Sequence, residues 1–160
     1  VFPLQVLPWS SLAASFFHAG VSCLVWLAGC WLLGQGMHLS WLAIPLVFLA
    51  LVPVLLGLGW ALAAMGVYFR DLGEMVGLFM GMFLFLTPVF FPLSVLPDFL
   101  QGWVQLNPLA IPIEALRAIG LLGHWPRFDS LGLLFLGGLV VACLGALLFD
   151  RTRKGFADVL

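Results

Sequence analysis

The charged residues of this chain are few, and most of them occur in three short groups within an apolar sequence, the last of which is Asp150, Arg151, Arg153 and Lys154. The first group is Arg70, Asp71 and Glu74, and no Asp, Glu, Lys or Arg precedes it. The second group is Glu114 and Arg117, which are three residues apart in an apolar segment. Opposite charges at this spacing are neighbours on a helix surface and can form an ion pair. Such groups can anchor a helix end at the membrane surface, contact a partner protein or form ion pairs within the chain.

The sequence carries no enzyme signature, so we predict no catalytic residue and no metal site. It contains no GxxxxGK[ST] phosphate loop, no HExxH and no GxSxG. Cys23, Cys30 and Cys143 lie inside apolar runs without metal-ligand spacing, which is typical of small buried residues. A membrane-embedded transferase stays open as an alternative, because Glu114, Arg117 and the histidines are polar groups in apolar surroundings.

The composition indicates a membrane protein. Of the 160 residues, 64% are hydrophobic and 8% are charged, and the mean hydropathy is +1.20. A soluble domain has about 25% charged residues, so this chain has too few to cover a surface facing water. Membrane lipid is the expected surrounding, because it tolerates apolar side chains on the outside. The net charge of −1 gives no indication of binding to nucleic acid.

Four apolar runs are long enough to cross a bilayer, which requires about 20 residues of helix. The predicted fold class is therefore all-α, a polytopic helical bundle that forms one transmembrane domain over residues 1–160. The predicted spans are residues 9–33, 41–68, 72–91 and 130–149.

The segment between the third and fourth runs, about residues 96–122, is apolar but broken into short pieces. Asn107 and Pro108 predict a helix start, with Asn107 as the N-cap and Pro108 at the first helical position. Pro112 is expected to interrupt this helix after one turn. The two charges in this segment disfavour a single span exposed to lipid. We therefore predict a re-entrant helical hairpin that is shielded by protein.

The distribution of basic residues predicts the orientation of the chain. With four spans and a re-entrant hairpin, the 69–74 turn and the C-terminus lie on one side of the membrane. The basic residues on that side are Arg70, Arg151, Arg153 and Lys154, and those on the other side are Arg117 and Arg127. By the positive-inside rule, the C-terminus is predicted to be cytoplasmic.

Each polar group has a structural interpretation beside a functional one. The 66–77 turn is either a topology anchor, with Arg70 at the lipid headgroups, or a docking surface for a cytoplasmic partner. Glu114 and Arg117 either hold a short helix together as an ion pair or belong to an outer gate. Four phenylalanines either contact lipid and helices or line a translocation path: Phe83, Phe85, Phe90 and Phe91.

Several segments resemble, in order, those of the permease subunits of type-2 ATP-binding-cassette (ABC) exporters. The resemblance covers essentially the whole chain, and it is strongest to the exporters of polysaccharides such as lipopolysaccharide O-antigen, capsule and teichoic acid. The segments are VFPLQVLP (1–8), ALAAMGVYFRDLGEMVG (61–77), FLTPVFFPLSVLPDFLQ (85–101), NPLAIPIEALRAIGLLG (107–123) and RTRKGFADVL (151–160).

The resemblance implies a larger assembly than this chain. Such permeases have six spans, so we expect the chain to lack its N-terminal part, in line with its start at Val1. The implied exporter is a homodimer of permeases in the bacterial cytoplasmic (inner) membrane, with two separate ATPase subunits that bind ATP and Mg²⁺. The permease itself would be no enzyme and hold no cofactor, and the substrate would be a lipid-linked glycan.

The resemblance also assigns roles to residues. The contact with the ATPase subunit would be formed by Tyr68, Phe69, Arg70, Asp71 and Glu74. The outer gate would include Asn107, Pro108, Pro112, Glu114 and Arg117. A type-2 exporter of drugs or lipids and a purely structural membrane subunit stay open as alternatives.

Overall fold

The computed structural model describes residues 6–34, 36–89 and 107–153, together with positions 95, 97, 99, 102 and 104. All regular secondary structure in this part of the chain is helical, which confirms the all-α fold class. The elements are α1 (Leu7–Leu32), a 3₁₀-helix (Leu39–Ala43), α2 (Ile44–Tyr68), α3 (Leu72–Leu86), α4 (Ala110–Gly120) and α5 (Phe128–Thr152).

Within the described residues, three helical stretches are long and apolar enough to cross a membrane. They are Leu7–Leu32, Leu39–Tyr68 and Phe128–Thr152. Their ends lie within three residues of the predicted spans 9–33, 41–68 and 130–149. The stretches support a multi-pass helical membrane protein.

α3 is shorter than the run from which it was predicted. It begins at Leu72, as expected, but it ends at Leu86, and Thr87 is extended with ψ 137°. The reason is Pro88, because a residue before proline is disfavoured in the helical conformation. At 1.5 Å per residue, α3 is about 22 Å long, whereas a hydrocarbon core is about 30 Å thick. The last two residues of the predicted span, 90 and 91, lie outside the described part.

α2 and α5 run parallel, from Val54 beside Gly138 to Tyr68 beside Thr152, and glycines bring their backbones into contact. A Cβ placed on Gly57 would lie 2.5 Å from the carbonyl carbon of Val141, and one on Gly145 would overlap the Gly57 carbonyl oxygen. A Cβ on Gly138 would lie 2.7 Å from a methyl group of Val54. Small residues allow such close approach, and membrane helices associate largely through this kind of packing.

The core of the bundle lies where α4 covers the first half of α2 and the first half of α5. Its buried residues include Val47 of α2, Ile119 of α4, and Leu131 and Leu134 of α5. We call this end of the bundle, which also holds the 3₁₀-helix, the loop end. The opposite end, where α2 passes into α3 and α5 finishes, is the turn end.

The start of α4 differs from the predicted one. The N-cap of α4 is Leu109 rather than Asn107, so Pro108 is not in the helix. The Asn107 side-chain oxygen instead accepts a hydrogen bond of 2.9 Å from the Leu109 N–H, which closes a turn. Pro112 consequently falls in the first turn of α4 and does not interrupt it, since backbone N–H groups there need no intrahelical partner. The first part of the predicted hairpin, residues 96–106, lies largely outside the described residues.

Candidate functional site

The charged turn that joins α2 to α3 is exposed over its whole length. α2 ends at Tyr68, Phe69 is extended, and α3 begins at Leu72 with the Met75 N–H donating to the Asp71 carbonyl. The turn is closed by a 3.2 Å hydrogen bond from the Leu72 N–H to the Phe69 carbonyl. Tight closure keeps the intervening residues at the surface.

The five predicted contact residues all lie on this exposed surface: Tyr68, Phe69, Arg70, Asp71 and Glu74. Phe69 is 64% exposed, and none of the three charged side chains forms an ion pair with a described residue. Glu74 lies in the first turn of α3, where a negative charge is favourable to the helix dipole. The turn therefore brings an aromatic ring and charges of both signs together at the surface, and the charged side chains form no ion pair with another described residue.

Tyr68 joins this turn to the end of α5. Its hydroxyl donates a 3.1 Å hydrogen bond to the carbonyl oxygen of Thr152, in the last turn of that helix. Arg151 and Arg153 are exposed beside it, and Arg153 lies 3.6 Å from Asp150. Arg70 and these two arginines thus lie at the same end of the bundle, whereas Lys154 lies outside the described part.

Arg117 connects α4 to the segment that follows α3. One guanidinium nitrogen lies 2.5 Å from Glu114, and the other donates to the carbonyl oxygens of Pro88, at 2.7 Å, and Val89, at 3.1 Å. The side chain is 19% exposed, so these partners compensate the charge in apolar surroundings. The ion pair predicted from the spacing is present, and it also holds another part of the chain.

A second contact lies beside Arg117. The Asn107 amide donates a 3.0 Å hydrogen bond to the Thr87 hydroxyl, which itself donates to the Phe83 carbonyl at 2.6 Å. Thr87 is buried. We call this set, Thr87–Val89 with Asn107, Glu114 and Arg117, the α3–α4 clasp.

Sequence reasoning missed Thr87, although one signal was present. A hydroxyl residue directly before proline at the end of an apolar run marks a helix end with free carbonyl groups. The other predicted gate residues lie nearby: Pro108 in the turn before α4, and Pro112 buried within α4.

Residues of the loop end also contact the C-terminal end of α4, and the sequence did not predict these contacts. The buried Ser40 hydroxyl donates a 3.2 Å hydrogen bond to the Ile119 carbonyl. Gly123, with φ +66°, lies against the His38 ring, and a Cβ there would be 2.6 Å from the ring nitrogen Nδ1. α4 is therefore fixed at both ends.

The predicted aromatic path is represented by two described residues. Phe83 is half-buried and Phe85 is exposed, both on α3. Residues two apart on a helix point in different directions, so these two rings do not form one stripe. Phe90 and Phe91 lie outside the described residues, and the path stays a prediction.

Comparison with known proteins defines the class. The sequence model of the ABC-2 type transporter family matches residues 2–121, which is most of the chain. The chain therefore belongs to the ABC-2 type transporter family, as its charged turn and its proline-rich segments predicted.

Individual relatives narrow the comparison. The chain is 26% identical, over its full length, to an O-antigen export system permease protein RfbA of Klebsiella pneumoniae, of which it covers 62%. It is 29% identical over 98% of its length to the O-antigen export system permease protein RfbA of Myxococcus xanthus, of which it covers 61%. The chain thus spans about three fifths of the length of these curated relatives.

Proposed function

We propose that this chain is the larger part of a permease that moves a lipid-linked polysaccharide of the O-antigen type across the bacterial cytoplasmic membrane. The observation that carries this proposal is similarity, over 98–100% of this chain, to two permeases named for O-antigen export, within a family of ABC-2 type transporters. The apolar helices supply a membrane domain, and ATP with Mg²⁺ belongs to a separate ATPase subunit.

The orientation follows from the arrangement of charges. Arg70, Arg151 and Arg153 lie at the turn end, whereas Arg127 lies at the start of α5 at the loop end. Because the side richer in Lys and Arg faces the cytoplasm, the turn end with the C-terminus is cytoplasmic and the loop end faces outward.

The charged turn is the proposed contact with the ATPase subunit. The exposed Phe69 ring can enter an apolar pocket of a partner, while Arg70, Asp71 and Glu74 have their charges available for pairing. An aromatic anchor surrounded by charged groups is typical of protein interfaces. The anchor role of Arg70 at the headgroups is compatible with this contact.

Movement of the turn can reach the outer side through α3. This helix begins directly after Asp71, and the segment after its end is held to α4 by the α3–α4 clasp. A displacement of the turn is therefore transmitted along a rigid helix to Asn107 and Arg117, two of the proposed gate residues. The two states of such a device need to differ by only a few kcal/mol. The working exporter would consist of two permeases and two separate ATPase subunits, and the lipid-linked glycan would pass between the permeases.

The first prediction concerns docking. The double substitution Arg70→Ala and Asp71→Ala in the full-length permease should reduce both ATPase co-purification and polymer export, because it removes two exposed charges of the contact. The measurement is the amount of ATPase subunit retained on tagged permease in detergent, together with surface polymer. Asp129→Asn, an exposed charge at the opposite end of α5, is the matched control and should change neither quantity. Unaltered association and export in the double variant would refute the docking role.

A further inference from the structure

A cavity at the loop end lies between α4 and the beginning of α5. Its volume is about 420 Å³, which is within the range of about 300–1,000 Å³ for small-molecule sites. Four of its lining residues can make specific contacts: Glu114, Trp125, Arg127 and Ser130. The remainder of the lining is mostly small or apolar side chains of α4 and α5.

The four residues combine an aromatic face with hydrogen-bonding groups of both kinds. Trp125 is 53% exposed, and its ring lies 6.5 Å from that of Phe128 at an interplanar angle of 34°. The Arg127 side chain is exposed and forms no hydrogen bond or ion pair with any described residue, although its backbone carbonyl accepts a hydrogen bond from the Leu131 N–H. Arginine supplies donors alone, a carboxylate supplies acceptors alone, and the Ser130 hydroxyl can act as either.

This combination favours a sugar over an anion. A phosphate in the cavity would be attracted by Arg127 but repelled by the Glu114 carboxylate, which also lines it. A sugar ring can donate from one hydroxyl to Glu114 and accept at another from Arg127. Its apolar face can cover the exposed indole of Trp125, because an indole is a large flat apolar surface with one polar end.

We propose that this cavity binds one sugar unit of the exported polysaccharide. The ring stacks on Trp125, and its hydroxyl groups form hydrogen bonds with Arg127, Glu114 and Ser130. The choice of polysaccharide as ligand rests on the proposed function, whereas the chemistry of the site rests on its lining residues. On the proposed orientation, the cavity faces outward, where the glycan leaves the permease.

The test measures binding of a defined probe to the full-length permease with its ATPase subunit in lipid nanodiscs. The probe is the lipid-free oligosaccharide released by mild acid from the O-antigen of the host strain, followed by saturation-transfer NMR and titration. Arg127→Ala should weaken binding about tenfold, since a hydrogen bond to a charged group contributes on this order. Trp125→Ala should weaken it comparably, and Trp125→Phe should restore most of it.

The control is Trp31→Ala, because Trp31 is 56% exposed near the end of α1 and does not line the cavity. It should bind the probe like the unaltered protein. Glu114 is not used as a variant, since its loss would also break the ion pair with Arg117. If Trp125→Ala does not fold, Arg127→Ala and Trp125→Phe still test the site.

Three outcomes would overturn the proposal: no binding to the unaltered protein, equal binding by all variants, or displacement of the probe by glycerol phosphate alone. Loss of ATPase co-purification with the unaltered permease would be a different failure. It would refute the ATPase contact of the proposed function, whereas the binding data would still decide on the sugar site, because the probe contacts only the permease.

Discussion

At the scale of residues, Arg117 shows how a charge is accommodated among apolar helices. Its planar guanidinium binds Glu114 on one side and two backbone carbonyl groups on the other. Lysine cannot reproduce this, because its ammonium is a single point charge without the rigid fork of arginine. These contacts give Arg117 a structural role, and its role in an outer gate stays a prediction that is compatible with them.

Arg117→Lys should therefore lower the stability of the full-length permease while retaining its charge. We expect a loss of about 2 kcal/mol, on the order of one hydrogen bond to a charged group. The measurement is the unfolding temperature in detergent, monitored as the loss of the folded peak in size-exclusion chromatography after heating.

Arg153→Lys is the control for this substitution, because Arg153 is half-exposed and lies 3.6 Å from an equally exposed Asp150. Surface ion pairs of this kind contribute ~0–1 kcal/mol, so its unfolding temperature should stay close to that of the unaltered protein. Equal unfolding temperatures for the two variants would show that the clasp does not contribute to stability.

At the scale of elements, the packing of α2 against α5 depends on where glycine lies. Gly145 faces the α2 backbone at Gly57, whereas a Cβ added at Gly137 would meet nothing within 4 Å. The two glycines belong to the same helix, and Gly145 is buried in the interface whereas Gly137 is exposed. They therefore offer a matched pair for testing the interface.

Gly145→Ala should destabilise the permease by about 1–3 kcal/mol, the usual cost of overpacking, because the added methyl group meets backbone that cannot rotate away. Gly137→Ala should be neutral or slightly stabilising, since alanine is the better helix former. The measurement is the thermal unfolding temperature of both variants, compared with that of the unaltered protein. A greater loss for Gly137→Ala than for Gly145→Ala would contradict the described interface.

The sequence predicts some elements much better than others. The runs around α1, α2 and α5 are long and continuously apolar, so composition alone locates them to within a few residues. α3 and α4 are bounded by prolines whose effect depends on the register, and Pro112 is tolerated because α4 begins later than Asn107 suggested. Contacts such as Thr87 with Asn107 join residues far apart in sequence, and no local pattern encodes them.

At the scale of the whole molecule, the bundle has two chemically different ends. The turn end carries exposed arginines and the charged turn, and the loop end carries Trp125 and the cavity beside it. α3 and the clasp connect the first end to α4. In the proposed exporter, the ATPase subunit binds at the turn end, and the glycan leaves at the loop end.

The orientation of these ends is the central claim, and cysteine labelling tests it directly. Arg70→Cys, Arg153→Cys and Trp125→Cys would be introduced singly into full-length permease whose native cysteines are replaced, and spheroplasts treated with a membrane-impermeant maleimide. The account predicts labelling of position 125 in intact spheroplasts, and of positions 70 and 153 only after permeabilisation. Labelling of positions 70 and 153 from opposite faces, or of positions 70 and 125 from the same face, would contradict it.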